Sequence, residues 1–140
     1  MKLLRGEFRI QDVSVDLDAG RDLPPVRADR TLLVQMILNL LTNACDAVAD
    51  NPPGGRKIKV YTRSHGQSVQ VTISDNGVGL EGDPERLFDP YFTTKESGLG
   101  MGLAITRSII KSHNGRVWAD SDKATGTNFH LSLPPATDAA

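Results

Sequence analysis

The chain has 140 residues, of which 24% are charged, with a formal net charge of −1 at pH 7. That length suits one domain with a core of its own. A near-neutral balance without blocky charge gives no basis for nucleic-acid binding, and a lone cysteine, Cys45, excludes an internal disulfide and fits a reducing compartment.

In chain order, MKLLRGEFRI has no apolar segment followed by a small-residue cleavage site. EFRIQDVSVDLD (7–18) alternates in part and is rich in β-branched residues, which predicts one strand. AGRDLPPV is a loop, closed to regular structure by Pro24 and Pro25. Asp29 reads as an N-cap, and a long helix is predicted from there to about Asp50, stopped by NPPGG. Within it LLVQMILNLL is interrupted by Gln35 and Asn39 and is too short to span a bilayer, and Cys45 reads as a small core residue. KIKVYTRS (57–64) and SVQVTISD (68–75) form a hairpin about HGQ. Residues 76–98 show no period and predict a long, functional loop. A second helix is expected over about 101–113, ended by HNG, and RVWADS and TNFHLSL give two more strands. The order predicts an α+β fold: a two-layer α/β sandwich with a mixed, mostly antiparallel sheet packed on helices. One domain over 1–140 is expected, with a disordered tail at 135–140.

Five stretches carry chemistry. The first helix is apolar over most of its circumference, except for a stripe of Gln35, Asn39, Asn43, Asp46 and Asp50 spaced by three or four. A solvated face would use long charged side chains. This one has none of Lys or Arg and carries two amides one turn apart, so it reads as the wall of a polar pocket. Amide oxygens ligate a hard cation such as Mg²⁺ without adding negative charge beside a polyphosphate.

In SDNGVGLEG, Gly77, Gly79 and Gly82 spell G-x-G-x-x-G after a strand. A dinucleotide site needs a helix next, and DPERLFDPYF has two prolines instead. Asp75 at the strand end can accept a hydrogen bond from an amino group such as that of adenine, with Gly77 and Gly79 admitting the base; the alternative is a simple Asx turn. In LFDPYFTTK, Phe88, Tyr91 and Phe92 pin the loop to a body or fill a core, while Thr93, Thr94 and Lys95 suit phosphate contacts. In SGLGMGLAITRSII, Gly98, Gly100 and Gly102 precede a helix and present amides and a positive dipole end to an anion. Among the last strands, Thr127 follows the turn glycine Gly126. His130 should face away from Phe129, toward solvent, and neither it nor His65 and His113 shows metal-like pairing.

NLLTNACDA, DNGVGL, LFDPYFTTK, GLGMGL and GTNFHLSLP, in this order, resemble the N, G1, F, G2 and G3 boxes of the ATP-binding catalytic domain of bacterial sensor histidine kinases. The likeness runs over about 8–134 and is closest to the nitrogen-regulation, oxygen-sensing and dicarboxylate-sensing type. The resemblance implies a Bergerat-type fold of the GHKL superfamily that binds Mg²⁺-ATP under a flexible lid at about 78–101. It implies Asn43 as the metal-linked amide and Asn39 as its catalytic neighbour. Asp75 would bond the adenine amine, with Gly77 and Gly79 beneath the base and Thr127 supporting it. Phe88 and Phe92 would belong to the lid. Thr94, Lys95, Gly98, Leu99, Gly100, Met101 and Gly102 would line the phosphates, with Lys95 also catalytic. Some relatives are basic at the position of Asp46; the acid here leaves a water-mediated metal role.

The implied reaction is transfer of the γ-phosphoryl group of ATP to a histidine. SHGQ, SHNG and FHLS do not resemble the family's acceptor context, so the acceptor is expected on a separate dimerisation domain. A response regulator receiver domain would take the phosphoryl group next. No nucleic acid and no direct membrane contact are expected. The isolated chain would be a monomer in the cytoplasm, whether or not the parent kinase is anchored in the inner membrane. The rival readings are an ATP hydrolase of the gyrase or Hsp90 type, an anti-sigma-type serine kinase and an inactive nucleotide-binding regulatory module. The hydrolases carry a water-activating Glu four residues before the metal-linked Asn; that position here is Asn39, and an amide is no general base.

Overall fold

A computed structural model of the chain describes residues 5–10, 12–20, 23–24, 26, 28–52, 54–77, 79, 88, 101–122 and 126–135. The elements are β1 (Arg5–Ile10), β2 (Val13–Asp18), α1 (Arg30–Val48), β3 (Lys57–His65), β4 (Ser68–Asp75), α2 (Met101–Ser112), β5 (Arg116–Asp122) and β6 (Gly126–Leu133). The strands form one six-stranded sheet in the order β1-β2-β3-β4-β6-β5. Among the described strands only β2 and β3 pair in parallel, across the α1 crossover; the other neighbours are antiparallel. The sheet is therefore mixed and mostly antiparallel, as its sequence pattern predicts.

The stretch 7–18 is not one strand. It folds back as the β1–β2 hairpin, with Asp12 at φ 63°. The turn carries no glycine, and an aspartate that tolerates the left-handed region is a weak signal. The β3–β4 turn obeys the ordinary rule: His65 pairs with Ser68, and Gly66 takes φ 64° at the first turn position.

Alternation sorts the sheet into two faces. Val69, Val71, Ile73 and Asp75 of β4 and Thr127, Phe129, Leu131 and Leu133 of β6 are buried on one side. The helices supply Met36, Leu40, Ala44 and Val48 from α1 and Leu103 and Ile110 from α2 to the same core. Each of these side chains larger than Ala44 contributes about 1.5–3 kcal/mol. As a whole, α1 is long and apolar enough to cross a membrane, with mean hydropathy 1.4. The expectation from its ten-residue central run does not hold for the complete helix; its one row of fully buried residues against the sheet marks it as a core helix.

Both helix ends are built by local chemistry. Asp29 caps α1 by accepting from the Leu32 N–H at 3.1 Å. After α2, Asn114 adopts φ 60°, the Gly115 N–H returns to the Ile110 carbonyl and the Asn114 N–H to that of Lys111, a Schellman closure. Gly115 is glycine for another reason, since a Cβ there would lie 2.3 Å from the Ser132 carbonyl oxygen. His113 joins the two ends, taking the Asp29 N–H on Nε2 while Nδ1 donates to the Ile109 carbonyl. The helices thus run antiparallel, the start of α1 against the end of α2.

His130 does point away from Phe129, but not into solvent. It is 9% exposed, stacked on Trp118 at 5.0 Å between ring centroids. Its Nε2 meets Asp120 at 2.7 Å and its Nδ1 meets the Thr72 hydroxyl at 2.9 Å. Single-strand alternation did not reveal that Trp118, opposite it on β5, would roof that spot. At the C-terminus, Pro135 forms a bridge with Val26, so the expected disordered tail loses its first residue, and 136–140 lie outside the described residues.

Candidate functional site

The site begins where β4 ends. Asp75 sits between Ile58 and Thr127 in the sheet register and is 3% exposed. Its Oδ1 accepts from the Gly77 N–H at 2.9 Å and from the Thr127 N–H at 3.4 Å. Its Oδ2 is buried with no hydrogen-bond partner among the described residues. Burial pushes the Asp75 carboxyl above the ordinary range, and the two backbone N–H bonds offset this only in part. An Asx-type turn is present, yet it uses one oxygen. The other is an acceptor held out of water, and such a group costs free energy unless a donor meets it.

Glycines hold this carboxylate in place. A Cβ on Gly77 would lie 2.1 Å from the Ala47 carbonyl oxygen, so the loop after β4 seats directly on the backbone of α1. Gly77 is required by that helix contact, whereas its sequence reading was close approach of a base. Gly126 takes φ 107°, and a Cβ there would meet the Asp75 carbonyl oxygen at 2.0 Å. The Asn76 side chain braces the loop from outside, accepting from the Lys57 N–H at 2.9 Å and donating to the Gly55 carbonyl at 2.9 Å.

One turn before Ala47 on α1 lies Asn43, and one turn before that Asn39; both are half-buried. The polar stripe divides: Gln35, Asp46 and Asp50 are exposed, and only the two amides form a wall. The Asn43 Nδ2 donates to the Asn39 carbonyl at 3.0 Å, and the Asn39 Nδ2 donates to the Thr106 hydroxyl of α2 at 3.3 Å. Thr106, wholly buried, was not singled out in the sequence; a hydroxyl on the buried face of α2 beside Leu103 and Ile110 was the available signal.

Phe88 falls inside the stretch expected to form the lid but behaves as core. It is 2% exposed, packs edge-on to Phe129 at 6.3 Å, and has the Arg107 guanidinium 5.8 Å from its ring centroid. Met101 and Gly102 open α2, whose N-terminal end points toward the Asn43 end of α1. Phe92, Thr94, Lys95, Gly98, Leu99 and Gly100 lie outside the described residues, as does most of the expected lid. Cys45 is half-buried, and burial, with the Asp46 charge beside it, raises its thiol. That disfavours the reactive thiolate.

The structure thus brings together a buried acceptor at a sheet end, a hydroxyl-bearing Thr127 beside it, and two amides on the adjoining helix. The fit to an adenine amine at Asp75 Oδ2 is one of donor to orphaned acceptor. The fit to a hard cation at the amides is one of oxygen chemistry without added charge.

Residues 28–137 match the family described as histidine kinase-, DNA gyrase B-, and HSP90-like ATPase. The sensor protein FixL of Bradyrhizobium diazoefficiens is 41% identical over 125 residues, 87% of this chain but 24% of FixL. The catalytic domain of histidine kinase ThkA is 32% identical, with a TM-score of 0.71 over 87% of this chain and 80% of that one. ThkA has also been solved in complex with the response regulator TrrA. Full-length ShkA in complex with AMPPNP is 26% identical, with a TM-score of 0.76 over 90% of this chain and 26% of that one. The chain spans between about a fifth and a third of the length of the curated kinases it matches.

Proposed function

Since the chain belongs to the histidine kinase-, DNA gyrase B-, and HSP90-like ATPase family, we propose that it binds Mg²⁺-ATP and donates the γ-phosphoryl group to a histidine on a separate dimerisation and phosphoacceptor domain. The observation that carries the reading is Asp75, with one oxygen committed to backbone N–H groups and the other buried without a partner. An amino group supplied by a nucleotide base meets that oxygen, and Thr127 flanks it on β6. Asn43 holds the metal through its amide, with Asn39 beside it and Asp46 acting through water. Mg²⁺, when bound, neutralises charge on the transferring phosphoryl group. Thr94, Lys95 and the run from Gly98 through Leu99, Gly100 and Met101 to Gly102 hold the phosphates, where amide N–H groups and a helix N-terminus favour an anion.

Kinase is favoured over hydrolase by Asn39. An amide cannot take a proton from water, and this one has its Nδ2 tied to Thr106. The domain works in the cytoplasm as the catalytic part of a longer kinase, and a response regulator receives the phosphoryl group downstream. The complex of ThkA with the response regulator TrrA supports this.

The test is to mix the chain with γ-labelled ATP and the dimerisation and phosphoacceptor domain of its own kinase. The expected result is label on that domain in an acid-labile, base-stable linkage, with little steady ATP turnover by the chain alone. Steady turnover with unlabelled protein would place it among the hydrolases.

A further inference from the structure

The wall of amides on α1 is held from outside the helix. On α2, Leu103, Thr106 and Ile110 share the buried face, spaced by three and four, and Thr106 has no exposed surface. Valine would fill this position equally well, and a hydroxyl buried among aliphatic side chains is unfavourable unless it is bonded. Its oxygen receives the Asn39 Nδ2 at 3.3 Å.

An asparagine amide has two ends of nearly the same shape, one a donor and one an acceptor, and packing alone selects poorly between them. A threonine within a helix can direct its own proton to a backbone carbonyl of the preceding turn, and the Thr106 oxygen here accepts from Asn39. Such a hydroxyl prefers the NH₂ end. Oδ1 of Asn39 is then on the far side of the amide from α2. The Asn43 Nδ2 is held separately, by the Asn39 backbone carbonyl of its own helix at 3.0 Å. Thr106 therefore acts on the first amide, and the helix backbone on the second.

We infer that Thr106 is a positioning residue for the metal half of the site: it turns the Asn39 amide so that oxygen rather than NH₂ is presented to a divalent cation. This rests on the proposed Mg²⁺-nucleotide function and deepens it. It also links α2, whose first turn ends the glycine run, to the Asn39 amide of α1, so that a shift of α2 reaches that amide directly.

The test titrates a non-hydrolysable ATP analogue into the wild-type chain, Thr106→Val and Thr106→Ser, in EDTA and across a Mg²⁺ series, alongside thermal melts. Thr106→Val should weaken the Mg²⁺ response by about tenfold, the loss typical of an outer-shell partner. Binding in EDTA and the melting temperature should stay near wild type, and Thr106→Ser should restore the Mg²⁺ response to within about twofold. A cycle with Asn39→Ala should show the Val substitution costing little once the amide is gone. Overturning results are an unchanged Mg²⁺ response in Thr106→Val, equal losses with and without Mg²⁺, no rescue by Ser, or additive costs in the cycle. A wild type that binds no analogue would instead sink the functional reading itself.

Discussion

Asp75 does two jobs with one carboxylate. Oδ1 closes the turn onto the Gly77 and Thr127 N–H groups, and Oδ2, buried with no partner among the described residues, is the acceptor that the proposed function assigns to a nucleotide amine. Asp75→Asn, which keeps the shape, cannot do both. If its oxygen keeps the two N–H groups, its NH₂ faces the incoming amine; if it flips, two backbone donors lose their acceptor. Analogue binding should be lost in calorimetry. Because burial raises the Asp75 carboxyl, folding favours its protonated form. That stabilisation is full below the unfolded value of 3.8 and is lost as pH rises through the raised folded value. The nucleotide-free Asp75→Asn variant should therefore melt at or above the wild type at pH 7, and the wild type should regain ground on acidification. A wild type that loses ground to the variant as pH falls toward 4 would show the sign to be wrong. Asp120 behaves oppositely: although burial opposes it, hydrogen bonds from Asn128 and His130 hold its carboxyl below the ordinary range. The position of Asp75 at a strand end before a glycine loop was legible in the sequence. The shelter given to His130 was not, since it depends on a cross-strand tryptophan.

At the scale of elements, α1 reconciles a core row, a polar wall and a seat for a loop. The core row and the N-cap could be read from spacing alone. The seat could not, because Gly77 meets the backbone of α1 at Ala47 and no side-chain pattern records a backbone contact. Gly77→Ala should therefore push the loop off the helix. It should cost about 1–3 kcal/mol in denaturant unfolding, as overpacking does, and weaken analogue binding through Asp75. A variant as stable as the wild type would mean that the loop seats elsewhere. The β1–β2 hairpin was missed for a related reason: its turn depends on Asp12 in a left-handed conformation rather than on a glycine. Phe88 was legible as an anchor only in the core-filling reading, and its packing on Phe129 selects that one.

For the whole molecule, the sheet and two helices form the support, and the site lies where the β4 end, the β6 start and α1 converge. Antiparallel pairing of the helices, fixed by His113 at one end and by Thr106 with Asn39 farther along, aims the N-terminal end of α2 at the amide wall. The order of elements was readable because hydrophobic period and turn residues agree along most of the chain. The meeting of distant residues was not, since spacing says nothing about which loop lands on which helix. It was the succession of five short motifs that pointed to one site before any contact was known.

The most direct measurement is a calorimetric titration of the chain with a non-hydrolysable ATP analogue, with and without Mg²⁺. The expected result is saturable one-to-one binding that Mg²⁺ strengthens and Asp75→Asn removes, with a gain in stability of about 2.7 kcal/mol when the analogue stands at a hundred times its dissociation constant. Absence of binding in both conditions, or binding that survives Asp75→Asn unchanged, would contradict the assignment of this site to a nucleotide.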